Sequence, residues 1–281
     1  TRIERRSQLE EELRAAIAQR RFEVNFQPIW ARRQSVLLHD ESASLETLRR
    51  AYGISSFEAL ARWARGNGER VQPDEFISIL TDSGLLDRFG PVMMSIALEG
   101  FARLRKEQGF EGTMAYNVSP RQLHVNACVP CVYEAANEYG VPADRLMLEL
   151  TENVEIEHNP ELLAVLDSFR KLGVQLSLDD FGAGYSNLGY LPRLPVSQIK
   201  LDRAIAAGVS TDRFKAAIAR ATLTMAKTLG LEVVAEGVES VADLLWMERA
   251  GCPLIQGWVF SRALNVQQAL NLLRELREED R

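Results

Sequence analysis

The feature that most constrains this chain is alternation. Eight short β-type runs follow one another: FEVNFQPI (22–29), SFEALARW (56–63), TMAYNVS (113–119), RLMLELTE (145–152), VQLSLDD (174–180), QIKLD (198–202), EVVAEGV (232–238) and LIQGWVF (254–260). Amphipathic stretches separate most of them. Strands that alternate with helices predict a mainly parallel sheet. The helices carry their own punctuation. ELLAVLDSFRKL aligns Leu162, Leu166 and Phe169 and stops at Gly173. RFKAAIARATLTMAKTL puts Ile218, Met225 and Leu229 together and stops at Gly230. Ser240 and Asp243 form a capping-box pattern ahead of Leu244 and Leu245, and Gly251 ends that helix. Eight units within 281 residues predict an α/β fold, a closed (β/α)8 TIM-barrel-like domain whose first strand is irregular. A doubly wound open sheet is the alternative, but FQPIWARR lacks the Gly-rich phosphate turn expected after its first strand.

Leu9, Leu13 and Ile17 recur every fourth residue, so residues 1–21 read as a lead-in helix and 22–281 as the barrel domain. Segment 31–54 is a polar, extended insert between the first two strands, with a short helix expected at Leu45–Ala51. The chain opens at Thr1 in a polar stretch, read as one domain of a longer protein with no signal peptide. No apolar run reaches ~18 residues, so no membrane insertion of this segment is expected. Lys and Arg number 33 against 39 Asp and Glu, a net charge of −6 that argues against a nucleic-acid polymer held on a basic surface. Three cysteines form no disulfide framework, which suits a reducing, cytoplasmic setting.

The polar residues near the strand ends are Glu58, Asn117, Glu149, Asp179 with Asp180, Lys200 with Asp202, Glu236 and Gln256. In a parallel barrel these ends converge on one mouth, where barrel enzymes place their chemistry. Two like charges ~4 Å apart repel by about 4 kcal/mol at an effective dielectric near 20. One lysine does not offset the carboxylates of this set, so either several are protonated or cations sit among them. Carboxylates with an Asn amide and no Cys or His are hard oxygen ligands, which points to Mg²⁺ or Mn²⁺ rather than Zn²⁺. The adjacent pair Asp179 and Asp180 suits two ions ~3.5–4 Å apart, an arrangement used for phosphoryl displacement, with Lys200 hydrogen-bonding the attacking water or stabilising phosphate charge.

FEALARW (57–63), NVSPRQL (117–123), ELTE (149–152), DDFGAGYSNLGYL (179–191), KLD (200–202), AEGVE (235–239) and QGW (256–258) resemble the EAL-domain cyclic di-GMP phosphodiesterases, in family order and over roughly residues 22–265. The resemblance implies hydrolysis of one phosphodiester of cyclic di-GMP to linear pGpG with two divalent ions. It implies that Glu58, Asn117, Glu149 and Asp179 are ligands of the first ion, and that Asp179 and Asp180 serve the second, with Glu236 and Gln256 nearby. Lys200 matches the lysine that contacts the nucleophilic water. Glu152 is similar to the glutamate that holds the loop after the Asp pair. Gln27, Leu60 and Arg62 resemble substrate-contacting positions, Arg62 facing a phosphate, and Asp202 joins them as a substrate-binding candidate. The resemblance further implies a homodimer regulated through 181–191 and, in the full-length protein, an upstream sensory or GGDEF-type domain. The chain departs from the family in its longer connection to Glu58, in Ala183 and in Trp258, none of which removes a matched ligand.

Other readings compete. Asp180-Phe181-Gly182 matches a kinase DFG without its companion motifs. Gly182 and Gly184 begin a GxGxxG that Asn187 interrupts, so those glycines read as loop geometry. Cys128 and Cys131 form a C-x-x-C without a second pair or nearby His, which favours packing over zinc, and Cys252 reads as core. His39, His124 and His158 lie outside the cluster. Asn117-Val118-Ser119 is a sequon inside a strand, hence a chance match. Among Trp30, Trp63, Trp246 and Trp258, the last is the candidate to stack on guanine. Two functions remain beside the phosphodiesterase: a catalytically silent cyclic di-GMP receptor, and an enolase-type enzyme in which a lysine abstracts a proton.

Overall fold

The computed structural model describes residues 2–33, 44–123, 128–151, 159–182, 189 and 191–279. Eight strands close a barrel: β1 (Glu23–Arg32), β2 (Tyr52–Ala64), β4 (Thr113–Asn117), β5 (Leu146–Thr151), β6 (Gln175–Phe181), β7 (Gln198–Leu201), β8 (Glu232–Ala235) and β9 (Leu254–Gln256), with β1 pairing to both β2 and β9. Two short strands, β3 (Arg70–Val71) and β10 (Leu264–Asn265), extend its rim. All eight runs read from the sequence are barrel strands.

From β2 through β9 the barrel neighbours are parallel, whereas β1 runs antiparallel to both of its neighbours. A parallel return needs a helical crossover. Between β1 and β2 the described chain offers only α2 (Leu45–Ala51), too short to cross the barrel, so the pair forms a hairpin. The strands also run further than the sequence indicates: β1 reaches Arg32 and β2 starts at Tyr52, leaving 33–51 as the connection. The antiparallel start places Gln27 opposite Glu58, Asn25 opposite Leu60 and Glu23 opposite Arg62.

The helices surround this barrel: α1 (Arg2–Ala18), α3 (Pro73–Asp82), α4 (Leu86–Gln108), the single turn α5 (Pro120–Leu123), α6 (Cys128–Glu138), α7 (Pro160–Lys171), the single turn α8 (Arg203–Ala206), α9 (Arg213–Leu229), α10 (Val241–Arg249) and α11 (Val266–Glu279). Leu9 and Leu13 of α1 are fully buried. Arg65, at the turn after β2, binds Glu12 at 2.7 Å and Glu69 at 2.6 Å, while Arg5 reaches Glu69 and Glu75. The lead-in helix is thereby tied to the β2–β3 hairpin. On α7, Leu162, Leu166 and Phe169 are buried as their spacing predicts. On α9 the expected stripe is split: Met225 is partly buried against the core, while Ile218 and Leu229 are 43% and 41% exposed, as is Phe214 at 67%. The buried residues are Leu223 and the smaller Ala219, Thr222 and Ala226, which let α9 lie close to the sheet. No helix among the described residues is long and apolar enough to cross a membrane.

Strand alternation divides the barrel into two faces. Outward residues such as Phe26, Trp30, Phe57, Leu148, Leu150, Ile199 and Leu201 join the large core under the helices. Inward, Ile29, Val234 and Leu254 form a separate apolar cluster, and the polar side chains of Ser56, Glu58, Glu149, Ser177, Gln198, Lys200 and Gln256 are buried beside it.

Candidate active site

Seven consecutive barrel strands deliver one inward polar group each to the mouth. Lys200, on β7, is completely buried at their centre. Its Nζ lies 2.7 Å from Glu236 Oε1, 3.0 Å from Glu149 Oε2, 3.3 Å from Glu58 Oε2 and 3.4 Å from Asp179 Oδ1. Glu58 is fixed from both sides: Asn117 Nδ2 donates to Oε1 at 2.7 Å and Gln256 Nε2 to Oε2 at 2.7 Å. Thus β2, β4 and β9 are bonded through one carboxylate.

These environments push the acids apart. Burial alone would raise Glu58, but Lys200 and the amides of Gln256 and Asn117 outweigh it and hold Glu58 below the usual carboxylate range. Glu149 is pushed well up by burial, with the charges of Glu58, Asp179 and Glu236 adding to it against Lys200. Burial also raises Asp179 and Asp180, and drives Glu236 up to about 8. Lys200 loses solvation, yet the four carboxylates together keep its ammonium well above the usual range. The cluster remains electrically incomplete. Both Glu149 oxygens, Lys200 Nζ and Gln256 Oε1 are buried without an aligned hydrogen bond, the lysine contacts being ionic in distance only. Buried oxygen atoms of this kind, carboxylate and amide with no sulfur or imidazole among them, fit a hard divalent cation.

Asp179 and Asp180 are neighbours on a strand, where alternation would point them to opposite faces. Two features return Asp180 to the mouth. The β6–β7 register shifts between Leu178 and Phe181, and Asp180 has φ +57, in the left-handed region that few non-glycine residues occupy. As a result Asp179, Asp180 and Glu236 each offer a carboxylate oxygen within 4.8 Å of the others. Asp180 is the exposed member and Asp179 accepts its backbone N–H at 2.9 Å. Strain of this kind concentrates at functional sites.

The remaining sequence candidates surround this centre. Gln27 is buried and donates to the Ser261 carbonyl at 2.8 Å. Leu60 and Arg62 continue the Glu58 face of β2 toward the rim, both partly buried. Arg62 donates to the Ala61 carbonyl, and burial lowers its guanidinium with the charge of Glu58 offsetting only part of that. Asp202 caps α8, accepting from Ala204 N at 2.7 Å, and its charge reaches Asp180. Trp258 is 49% exposed, with the Arg262 guanidinium 3.9 Å and that of Arg203 5.6 Å from its ring centre. Trp30 and Trp63 are buried and Trp246 is partly buried. Cys252 is buried and Cys131 exposed, both as free thiols. Glu152, His39, His124 and His158 lie outside the described residues, as does most of 181–191. Gly257, a member of the QGW motif, has a part that the motif alone does not reveal. A Cβ on Gly257 would stand 2.0 Å from the Val238 carbonyl, so this glycine lets the loop after Glu236 lie against the segment after Gln256. Val238 N–H donates to Gln256 O, and Val259 N–H to Val238 O, both at 3.1 Å. The dipeptide Gln256-Gly257 is its only trace in the sequence.

A barrel with an antiparallel first strand and acids at its mouth defines a class, and the comparisons give its name. The EAL domain family model matches residues 10–263, and the chain belongs to that family. Cyclic di-GMP phosphodiesterase NbdA of Pseudomonas aeruginosa is 34% identical over 278 residues, 96% of this chain and 32% of that protein. Cyclic di-GMP phosphodiesterase PdeR of Escherichia coli is 32% identical over 211 residues, 75% of this chain and 32% of that protein. The chain thus spans about a third of the length of the curated relatives it matches. Among solved structures, the PaMucR phosphodiesterase in complex with c-di-GMP superposes with a TM-score of 0.81 at 29% identity, covering 93% of this chain and 99% of that one.

Proposed function

We propose that this domain is a metal-dependent phosphodiesterase that hydrolyses cyclic di-GMP to linear pGpG and so controls bacterial second-messenger signalling. The supporting observation is the buried Lys200 ringed by Glu58, Glu149, Asp179 and Glu236, with both Glu149 oxygens lacking aligned partners. Glu58, Asn117, Glu149 and Asp179 would hold one Mg²⁺ or Mn²⁺ ion. Asp179 and Asp180, with Glu236 and Gln256, would hold a second. Such ions, when bound, neutralise charge on the phosphodiester and lower the pKa of a coordinated water.

The chain's own residues supply the rest. Lys200, kept protonated by its carboxylates, orients the nucleophilic water and stabilises negative charge as the water oxygen bonds to phosphorus and the ribose oxygen leaves. Glu236 lies within proton-transfer reach of that ammonium at 2.7 Å. Gln27, Leu60, Arg62 and Asp202 line the path from the centre to the rim and bind substrate, with Trp258 as the exposed ring on which a guanine stacks. Glu152 steadies the loop after the Asp pair. The domain works in the cytoplasm as a homodimer, a reading supported by the outward apolar stripe of α9. It sits in a longer protein with an upstream sensory or GGDEF-type domain.

Product analysis tests this. Cyclic di-GMP incubated with the protein and Mg²⁺ or Mn²⁺ yields pGpG, EDTA stops it, and Glu58→Ala or Asp179→Ala abolishes turnover in a folded barrel. Tight binding without product under all metals makes the domain a receptor instead.

A further inference from the structure

At the rim next to Arg62 lies a cavity of about 300 Å³ whose polar lining is Glu23, Arg62, Arg70 and Gln72, with Trp63 and Pro73 also lining it. Arg70 belongs to β3 and pairs with Ala64 of β2. Alternation places it on the face of β2 that carries Ala64, Arg62, Leu60 and Glu58, which descends into the metal cluster. Arg62 feels it: burial lowers the Arg62 guanidinium, Glu58 offsets this, and the Arg70 charge lowers it further. Glu69 of the β2–β3 turn is held by Arg65 and Arg5, Glu75 of α3 by Arg5 and Glu12 of α1 by Arg65, and Arg70 forms no ion pair among the described residues. Gln72, the N-cap of α3, lines the same cavity and makes no side-chain capping bond, and the first turn of that helix carries Asp74 and Glu75. Glu23 is the single acid in the lining.

Two cations on one face of a cavity whose lining holds a single acid form a site for an anion. The proposed substrate supplies one. It carries two phosphodiesters, and only one of them can lie at the metal cluster. The other charge faces a mouth rich in carboxylates and is repelled unless a cation receives it. We propose that Arg70, paired with Arg62, binds the non-scissile phosphate of the cyclic dinucleotide. This inference rests on the function proposed above. Arg70 is a substrate-binding residue with no part in bond cleavage, so its loss weakens capture and leaves the chemical step intact.

The test compares wild type with Arg70→Ala and Arg70→Lys in Mn²⁺, using cyclic di-GMP and bis(p-nitrophenyl) phosphate, a diester with no second phosphate. Arg70→Ala should raise KM for cyclic di-GMP about tenfold with kcat held within about twofold, as expected for one lost charge-assisted contact. Arg70→Lys should recover most of that loss, and bis(p-nitrophenyl) phosphate should turn over equally in all three proteins. An unchanged KM in Arg70→Ala, with wild type active on cyclic di-GMP, overturns the subsite alone, as does equal slowing of both substrates. A wild type that cleaves bis(p-nitrophenyl) phosphate and leaves cyclic di-GMP intact removes the proposed substrate and the subsite with it.

Discussion

Lys200 Nζ stands 2.7 Å from Glu236 Oε1, inside a barrel where the lysine has no bulk water to answer its charge and Glu236 little. A buried cation with several carboxylates is held by mutual need, and removing one partner leaves charge uncompensated. Lys200→Ala should therefore lower the stability of the metal-free protein by about 3–5 kcal/mol, and Mn²⁺ should restore much of it. Activity should fall by at least about 100-fold even with metal present. Urea unfolding with and without Mn²⁺, beside turnover of cyclic di-GMP, reads both effects. Equal losses of stability with and without metal would show that the lysine and the cation site are independent.

Burial raises Glu236 to about 8, and it raises Glu149, Asp179 and Asp180 in the same direction. For a carboxylate whose folded pKa exceeds its unfolded one, the stabilising form is the protonated one. Its contribution is full below the unfolded value near 4.5 and is lost as pH climbs toward 8. Metal-free protein should thus carry protons at this site at pH 7, and divalent binding should expel them. Addition of Mn²⁺ at pH 7 should release about one proton or more per domain, and Mn²⁺ affinity should rise between pH 5.5 and 8.5. Indicator titration or calorimetry in buffers of different ionisation enthalpy measures the release. No release at pH 7 would mean that these acids are already ionised.

What the sequence makes legible follows from periodicity. Strand existence and facing depend on a two-residue alternation that Gln198-Ile199-Lys200-Leu201 displays without help from the rest of the chain, and its inward pair and outward pair are so placed. Strand direction is a property of the connection, so the reversal of β1 was hidden behind a polar segment whose geometry the residues alone do not set. The outward face of α9 was hidden for another reason. A stripe of Ile218, Met225 and Leu229 proves amphipathicity but not which side meets the sheet, and here Met225 reaches the core while Ala219, Thr222, Leu223 and Ala226 form the buried face. The metal cluster was legible as a set of types at strand ends. The device that lets Asp180 join it, a bulge with a left-handed residue, has no signature in the residue itself.

That device makes a specific forecast. Asparagine tolerates the left-handed region and keeps the side-chain shape, so Asp180→Asn should leave the melting temperature of the metal-free protein unchanged or slightly raised, because the repulsion between Asp180 and Asp179 disappears. Mn²⁺ affinity and turnover should both drop, the latter by about 10–100-fold. Differential scanning fluorimetry with a metal titration separates the two. A large loss of stability in the apo protein would show that Asp180 is structural.

Homodimerisation through α9 has its own test. Phe214 and Ile218 lie one turn apart on an exposed face, and an apolar stripe of this kind is stabilised by covering it. Phe214→Glu with Ile218→Lys should convert a dimer to a monomer in sedimentation velocity without lowering the melting temperature, since neither residue packs in the core. Sedimentation of wild type as a strict monomer with full activity would remove the dimer from the proposal.

Gly257 allows the closest check on how backbone shape holds the chemistry. The Cβ of an alanine there would lie 2.0 Å from the Val238 carbonyl and 2.5 Å from its nitrogen, both backbone atoms that do not yield as a flexible side chain would. Gly257→Ala must then part the loop after Glu236 from the segment after Gln256, at about 1–3 kcal/mol of overpacking. Both separated segments begin at residues of the centre, so turnover should fall more than about tenfold while the barrel remains folded. Gly251 is the control. Its φ of +84 also disfavours alanine, but its added Cβ meets nothing within 4 Å. Gly251→Ala should cost about 1 kcal/mol with activity unchanged. If the two variants lose activity in equal measure, the effect is one of general stability, and the contact between Gly257 and Val238 does not position the site.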